Sequence, residues 1–207
     1  MNKMSKTIGK TIFYAIFLVA MANCLQAEII FIKENLYANG SYGVVEMNNN
    51  IITYIEYDIN GVVNDYFAPD SVVIDKADID TFKLALSFLI DKYDSIAINL
   101  PIDKGPSTTQ KKNESDSMYY ARLDKYMDKY RKDMDKYRKT KEYKEYERKN
   151  AKFDIRIGEP YIDELIISFN KNLNKDIDMH IRGRNYAGIW LPFEKDIIKK
   201  IIDNLIQ

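Results

Sequence analysis

Cysteine, histidine and tryptophan are nearly absent from this chain of 207 residues, which contains one of each. A single cysteine, Cys24, excludes an intramolecular disulfide, so apolar burial must stabilise the fold without a covalent cross-link. A single histidine, His180, leaves little scope for a metal centre built from histidine and cysteine ligands. The sequence also lacks a Gly-x-Ser-x-Gly motif, a phosphate-binding glycine loop and a dinucleotide fingerprint. We therefore expect no cofactor and no resident metal, and we assign no catalytic residue.

An excess of charge of either sign is lacking as well. Lys and Arg together number 31, and Asp and Glu also number 31. A neutral chain produces no global field that would attract nucleic acid or an anionic membrane. Its length is sufficient for one domain with a hydrophobic core and an elaboration of that domain.

A long apolar run occurs only near the start of the chain. Three lysines precede the apolar residues 11–22, and small and polar residues follow them, which is the order of a secretory signal peptide. The run is shorter than the about 20 residues that a membrane-spanning helix needs. We therefore predict a signal peptide over residues 1–27, export to the periplasm or the medium, and no transmembrane span after its removal. A retained N-terminal anchor is the alternative.

The position of signal cleavage stays open between three sites. Ala22 and Ala27 each end a segment that an ordinary signal peptidase accepts. Met21-Ala-Asn-Cys24 resembles the cleavage box of lipoproteins, and this resemblance implies an envelope protein anchored by a lipid on Cys24. We favour cleavage after Ala27, because a strand is predicted from Glu28 and would leave a lipid on Cys24 almost no tether.

The first third of the chain after the leader is typical of β-structure. Short strands are predicted at residues 28–33, 42–47 and 72–74, with a turn at residues 48–50. Residues 51–59 and 62–67 flank Asn60-Gly61, a pair that supplies the two positive-φ positions of a type I′ turn. The sequence therefore predicts a β-hairpin centred on Asn60-Gly61.

Helical periodicity follows, and then the same order repeats. A helix is predicted over residues 79–92, with Asp78 or Asp80 as its N-cap, and a strand over residues 96–100 that Pro101 ends. Further strands are predicted at residues 153–157, 164–169, 177–181 and 186–190. A final helix over residues 193–206 carries a stripe of isoleucine and leucine.

This order of elements predicts an α+β fold, in which two amphipathic helices pack on a largely antiparallel sheet. Residues 28–102 and 151–207 form the two halves of one domain and suggest a duplicated strands-then-helix unit. Residues 103–150 between them are predicted to form a linker and a long charged helix that is inserted into the domain.

The inserted helix contains a doubled heptad, since residues 127–140 read MDKYRKDMDKYRKT. Acidic residues precede basic residues by four positions, which stabilises a helix, at Asp128 and Lys132, Asp135 and Lys139, and Glu145 and Lys149. Larger apolar side chains are spaced by three and four in one coiled-coil seam, namely Tyr120, Leu123, Met127, Tyr130, Met134 and Tyr137. The candidate partner contacts are Met127, Tyr130, Met134 and Tyr137.

Three interpretations of this helix stay open. In the first, it is a solvent-exposed helix that projects from the domain without a partner. In the second, it associates with itself or with another envelope protein. In the third, it is an arm that binds an anionic surface polymer. Export argues against nucleic acid as the partner.

A second candidate site lies in residues 182–190, which combine two arginines, two glycines and the only tryptophan. Arg182, Arg184 and Trp190 are candidate contacts for an anionic or sugar ligand. The structural alternative is a hairpin turn at Gly183, with Trp190 packed beneath the final helix.

Asp176, Asp178 and His180 alternate on one predicted strand and would share a face. Carboxylates beside an imidazole would suit a divalent metal, whereas the structural alternative is the polar outer face of a sheet. The sequence therefore favours a non-enzymatic binding or interaction protein of the cell envelope with a charged, Tyr- and Met-rich helical arm. A small metal-assisted hydrolase is the first alternative, and a nucleic-acid-binding protein is the second.

Overall fold

A computed structural model describes residues 27–33, 42–58, 60–63, 70–106, 115–159, 164–184 and 187–206. Nearly all of the predicted signal peptide, including Cys24, therefore lies outside the described residues. The same is true of part of the predicted linker, of residues 64–67 in the predicted hairpin and of the Tyr120 side chain.

The described strands form two antiparallel sheets of four strands each. The first sheet contains β1 (Glu28–Lys33), β2 (Tyr42–Asn48), β3 (Ile51–Tyr57) and β4 (Asp70–Val73). The second contains β5 (Ile155–Ile157), β6 (Leu165–Lys171), β7 (Ile177–Arg182) and β8 (Gly188–Pro192). Each strand pairs with its neighbours in sequence, so each sheet is a meander.

Five helices accompany the sheets in the described ranges, and the predicted α+β class is confirmed. They are α1 (Ile79–Asp91), α2 (Tyr93–Asn99), α3 (Asp116–Arg138), α4 (Lys141–Asn150) and α5 (Lys195–Asn204). A short 3-10 turn, Lys76–Asp78, leads into α1. Within this part of the chain, no helix combines the length and the apolar character that crossing a bilayer requires.

The two amphipathic helices bury their apolar stripes in one common core. The buried stripe side chains are Ile79, Phe82, Leu86 and Leu89 of α1, and Ile197, Ile198 and Ile201 of α5. Helix α1 packs against α5 and β5, whereas α5 also lies on β1 and β2, and β4 lies beside β8. One cluster of buried side chains therefore joins residues from Ile30 to Leu205.

The strand predicted for residues 96–100 is wrong, because this segment continues α2 up to Asn99. Ile96 and Leu100 are buried, whereas Ile98 between them is 77% exposed. A strand would place all three side chains on one face, but a helix brings together residues that are four apart. The alternation of apolar residues was therefore a by-product of a helical turn that buries only the first and the last of them.

The type I′ turn predicted at Asn60-Gly61 is wrong, whereas the turn predicted at residues 48–50 is confirmed. Asn49 and Asn50, between β2 and β3, both have positive φ, at 47° and 64°. At the expected site only Gly61 has positive φ in the described backbone, and Asp58 accepts hydrogen bonds from the N–H groups of Asn60 and Val62. On the edge away from β2, β3 pairs with β4, and a single bridge joins Tyr57 to Val63.

The predicted charged helix is divided into α3 and α4 at Thr140. The Thr140 hydroxyl donates to the Tyr137 carbonyl at 2.7 Å and accepts from the Tyr143 N–H at 3.1 Å. Thr140 thus satisfies a carbonyl at the end of α3 and caps the start of α4. This break explains why the apolar seam ends at Tyr137.

Candidate functional site

Helix α3, which we call the arm, is anchored to the described body at its C-terminal end. The Tyr137 ring packs directly on Gly105, where an added Cβ would lie 2.9 Å from the ring, and it meets Tyr143 edge-on at 5.2 Å. Tyr137 lies in the last turn of α3, so this end of the helix is packed against the segment that contains Gly105. Among the helices and strands, α3 makes its principal contacts with α4.

Helix α4 fixes the base of the arm on the second sheet. The Tyr146 hydroxyl donates to Asn170 Oδ1 at 3.1 Å, and Asn150 Nδ2 donates to the Phe169 carbonyl at 2.7 Å. Burial raises the pKa of Tyr146, and the charge of nearby Asp103 raises it further. The base of the arm is therefore held by partly buried polar contacts.

The predicted seam is divided by this arrangement. Met127, Tyr130 and Met134 form a half-exposed row along α3, and no side chain that is described in this helix is fully buried. Tyr137, the last residue of the seam, is already packed on the body. The structure therefore leaves three of the four candidate partner contacts on an available face and assigns Tyr137 to the attachment of the arm.

The second candidate surface, which we call the Trp190 face, is the outer face of the second sheet. Met179 and Ile181 of β7 are buried in the core, whereas His180 between them points to the outer face, where it meets Trp190 of β8. The two rings stack with centroids 4.2 Å apart and planes 8° from parallel. Trp190 is 54% exposed, so the alternative that packed it beneath the final helix is wrong.

Gly188 makes this stack possible. A Cβ at position 188 would overlap the His180 imidazole at Nε2, so only glycine leaves room for the ring. Burial lowers the pKa of His180, and the charge of nearby Arg182 lowers it further. The imidazole that covers one face of Trp190 is therefore uncharged at neutral pH.

The two arginines that the sequence grouped with Trp190 lie in different environments. The Arg184 guanidinium binds Asp75 and also Asp78, the latter at 2.5 Å, and so joins the connection between β7 and β8 to the turn before α1. Asp78 occupies the N-cap of α1 but makes no side-chain capping bond there. Arg182 is exposed on the Trp190 face, opposite Gly188. Arg184 thus has a structural ion pair, and Arg182 remains available to a ligand.

Asp176, Asp178 and His180 do not assemble a metal site. In the part of the chain that the structure describes, no group of three or more His, Cys, Asp or Glu side chains is placed to hold a metal ion. Asp176 instead accepts a hydrogen bond from Asn172 Nδ2 at 3.1 Å. Burial raises the pKa of Asp178, an effect that Lys33 opposes and Asp176 reinforces.

A cleft of about 620 Å³ adjoins the Trp190 face. Its lining comes from α2, the start of β7 and the connection between β8 and α5, and it includes Asp178 and Pro192. These two residues pair across β7 and β8 two rows from His180 and Trp190, so the cleft borders the Trp190 face at this pair.

Lys171 is a functional candidate that sequence reasoning missed. It is 8% exposed, lines the cleft, and donates through Nζ to the Ala97 carbonyl at 2.6 Å. The carbonyls at the end of a helix favour such a cation. The only signal in the sequence was a lysine at the end of an apolar strand. The cleft could not be predicted, because its lining comes from segments that are distant in the sequence.

The arm and the Trp190 face with its cleft are therefore the two candidate surfaces for a partner or a ligand. Comparisons with protein-family models, with curated proteins and with solved structures found no match for this chain. A functional assignment thus depends on the contacts and charges of these two surfaces.

Proposed function

We propose that this chain is an exported, non-enzymatic interaction protein of the cell envelope, and that the arm associates with the arm of a second copy. The observation behind this proposal is that the arm is attached to the body at its C-terminal end. Helix α3 is held by the body at Tyr137, and it presents Met127, Tyr130 and Met134 in one half-exposed row. Methionine and tyrosine are enriched at protein interfaces, where they provide adaptable apolar contact area.

Charges beside the seam are compatible with a parallel pair of arms. With Met127 and Met134 at the a positions of the heptad, Asp133 occupies a g position and Arg138 an e position. In a parallel pair, Asp133 therefore faces Arg138 of the second copy.

Association through this seam is expected to be weak in dilute solution. About three to four heptads are usual for a stable coiled coil, and the seam of α3 has two. Export to an envelope would raise the local concentration of the arms, most strongly if Cys24 carries a lipid. The arm is thus suited to an association that depends on crowding at a surface.

Sedimentation over a range of protein concentrations tests the association. We expect the parent to form a dimer as its concentration rises, and the variant with Met127, Tyr130 and Met134 replaced by Ser to stay monomeric. A matched control replaces Lys129, Lys132 and Asp135 on the opposite side of α3 by Ser, and it should associate like the parent. A parent that remains monomeric at every concentration contradicts the proposal.

Export needs a separate test, because nearly all of the predicted signal peptide, residues 1–27, lies outside the described residues. The order of lysines, apolar residues and small residues within residues 1–27 supports it. The intact mass of the native protein should correspond to a chain cut after Ala22 or Ala27, or to a lipidated chain that begins at Cys24. A full-length chain in the cytosol would rule out export.

A further inference from the structure

Trp190 is held in one orientation before any ligand arrives. His180 stacks on one face of the indole, and both residues lie on paired strands of the second sheet. Trp190 nevertheless keeps 54% of its surface exposed. An aromatic ring that is already fixed loses little conformational entropy when a ligand stacks on it, so this arrangement favours binding.

Polar groups lie on β7 on either side of His180, the ring that stacks on the indole. On β7, Asp178 and Arg182 are two residues away from His180 in opposite directions and share its face of the sheet. A carboxylate accepts hydrogen bonds, whereas a guanidinium donates several in a fixed plane. Together these groups can bind the hydroxyls of a sugar ring whose C–H face lies on the indole.

The adjoining cleft extends this surface and gives it a size suited to a ligand. Ligand sites commonly have volumes of about 300–1,000 Å³, and the cleft of about 620 Å³ lies within that range. Tyr93 and Phe193 line it, with their rings stacked at 4.7 Å, as does Ile98. The cleft therefore offers apolar walls to a ligand that also contacts Trp190.

The charges of the cleft argue against an anionic ligand. Its lining contains the acids Asp176, Asp178 and Glu194, and the bases Lys171 and Lys175. Lys171 donates to the Ala97 carbonyl, so less of its charge is left for a ligand. A polyanion would meet three carboxylates, whereas an uncharged ligand with many hydroxyls could bind groups of both signs.

We infer that Trp190 and the cleft beside β7 form one binding surface for a neutral glycan built of pyranose rings. One ring stacks on the side of Trp190 that His180 leaves open, and the chain of sugars continues past Pro192 and Asp178 into the cleft. This surface is separate from the seam of the arm, so glycan binding does not depend on self-association.

Fluorescence titration provides the test, because Trp190 is the only tryptophan. The mature protein is titrated with short oligomers of glucose, of N-acetylglucosamine and, as the acidic comparison, of galacturonate. We expect a saturable change in Trp190 emission with a neutral oligomer and weaker binding of galacturonate. The inference is overturned if neither neutral oligomer gives a saturable change, or if galacturonate binds more tightly.

Two variants and one control identify the site. Asp178→Asn keeps the shape of the side chain and should weaken the binding of the neutral oligomer by about tenfold, as expected for a lost hydrogen bond to a charged group. Trp190→Ala, followed by calorimetry, should abolish binding. Arg156→Ala is the matched control, since Arg156 lies on the same sheet but pairs with Glu164 at 3.1 Å. Unchanged affinity in Asp178→Asn would place the glycan elsewhere.

Discussion

His180 and Trp190 stack across β7 and β8 with their ring planes only 8° from parallel. Gly188 provides the space for the imidazole, and burial together with the charge of Arg182 keeps that imidazole uncharged. The most exposed aromatic ring of the second sheet is therefore held by a titratable neighbour, and its emission should report the state of that neighbour.

The emission of Trp190 should depend on pH through His180. The pKa of His180 is lowered from 6.5, so the imidazole stays neutral until the pH falls below that value. Protonation then places a cation against the indole and should quench its emission, with a midpoint below pH 6.5. The His180→Gln variant should lose this step, and any step that persists there belongs to Asp178 or Asp154, whose pKa values burial raises. A midpoint at or above 6.5 would contradict the burial of His180.

Replacing Gly188 by Ala should destabilise the second sheet. The new Cβ would overlap the His180 ring, and such overpacking costs about 1–3 kcal/mol of the free energy of unfolding. Denaturant titration measures this loss. In a protein that already carries His180→Ala the obstructing ring is absent, so adding Gly188→Ala should lower the free energy of unfolding only slightly further. If the two losses simply add, the clash with His180 is not the cause.

Replacing Arg184 by Ala should loosen the connection between the second sheet and α1. Arg184 binds both Asp75 and Asp78, and its side chain is 27% exposed. Hydrogen bonds between charged groups that are partly screened contribute about 1–2 kcal/mol to the free energy of unfolding. The exposed Arg182→Ala variant is the control and should change it by less than about 0.5 kcal/mol. Equal effects of the two substitutions would argue against a structural role for Arg184.

Replacing Tyr137 by Ser should detach the arm from the body, whereas the same change at Met127 should not. Tyr137 packs on Gly105 and meets Tyr143, while Met127 lies farther along α3 on the half-exposed row. Limited proteolysis at the lysines and arginines of α3 should therefore be faster in Tyr137→Ser. If both variants are cut at the parent rate, the contact with Gly105 does not hold the arm.

Sequence patterns predicted the elements correctly where a helix buries one face over several turns or a strand buries one face over several residues. The isoleucine stripe of α5 and the alternation of β7 both correspond to faces that pack on the core. The segment from Ile96 to Leu100 misled because five residues are compatible with either periodicity. Only the packing of Ile96 and Leu100 in the core distinguishes the helix from a strand.

The candidate site was predictable only in part, for a related reason. Trp190 and His180 were noticed from their rarity, but their stacking depends on the pairing of β7 with β8. The role of Arg184 depends on Asp75 and Asp78, which are more than 100 residues away in the chain. The burial of Lys171 against Ala97 likewise joins distant segments, and no local pattern encodes such contacts.

Oxidative cross-linking at position 127 in intact cells that make the protein is the sharpest test of pairing between the arms of two copies. In a parallel pair, Met127→Cys places two thiols on facing a positions, within reach of a disulfide. Lys132→Cys on the opposite side of α3 is the matched control, and the parent shows any contribution from Cys24. If the arms pair in parallel, a disulfide-linked species of doubled mass is expected for Met127→Cys alone. No linked species, or equal yields from positions 127 and 132, would contradict this pairing.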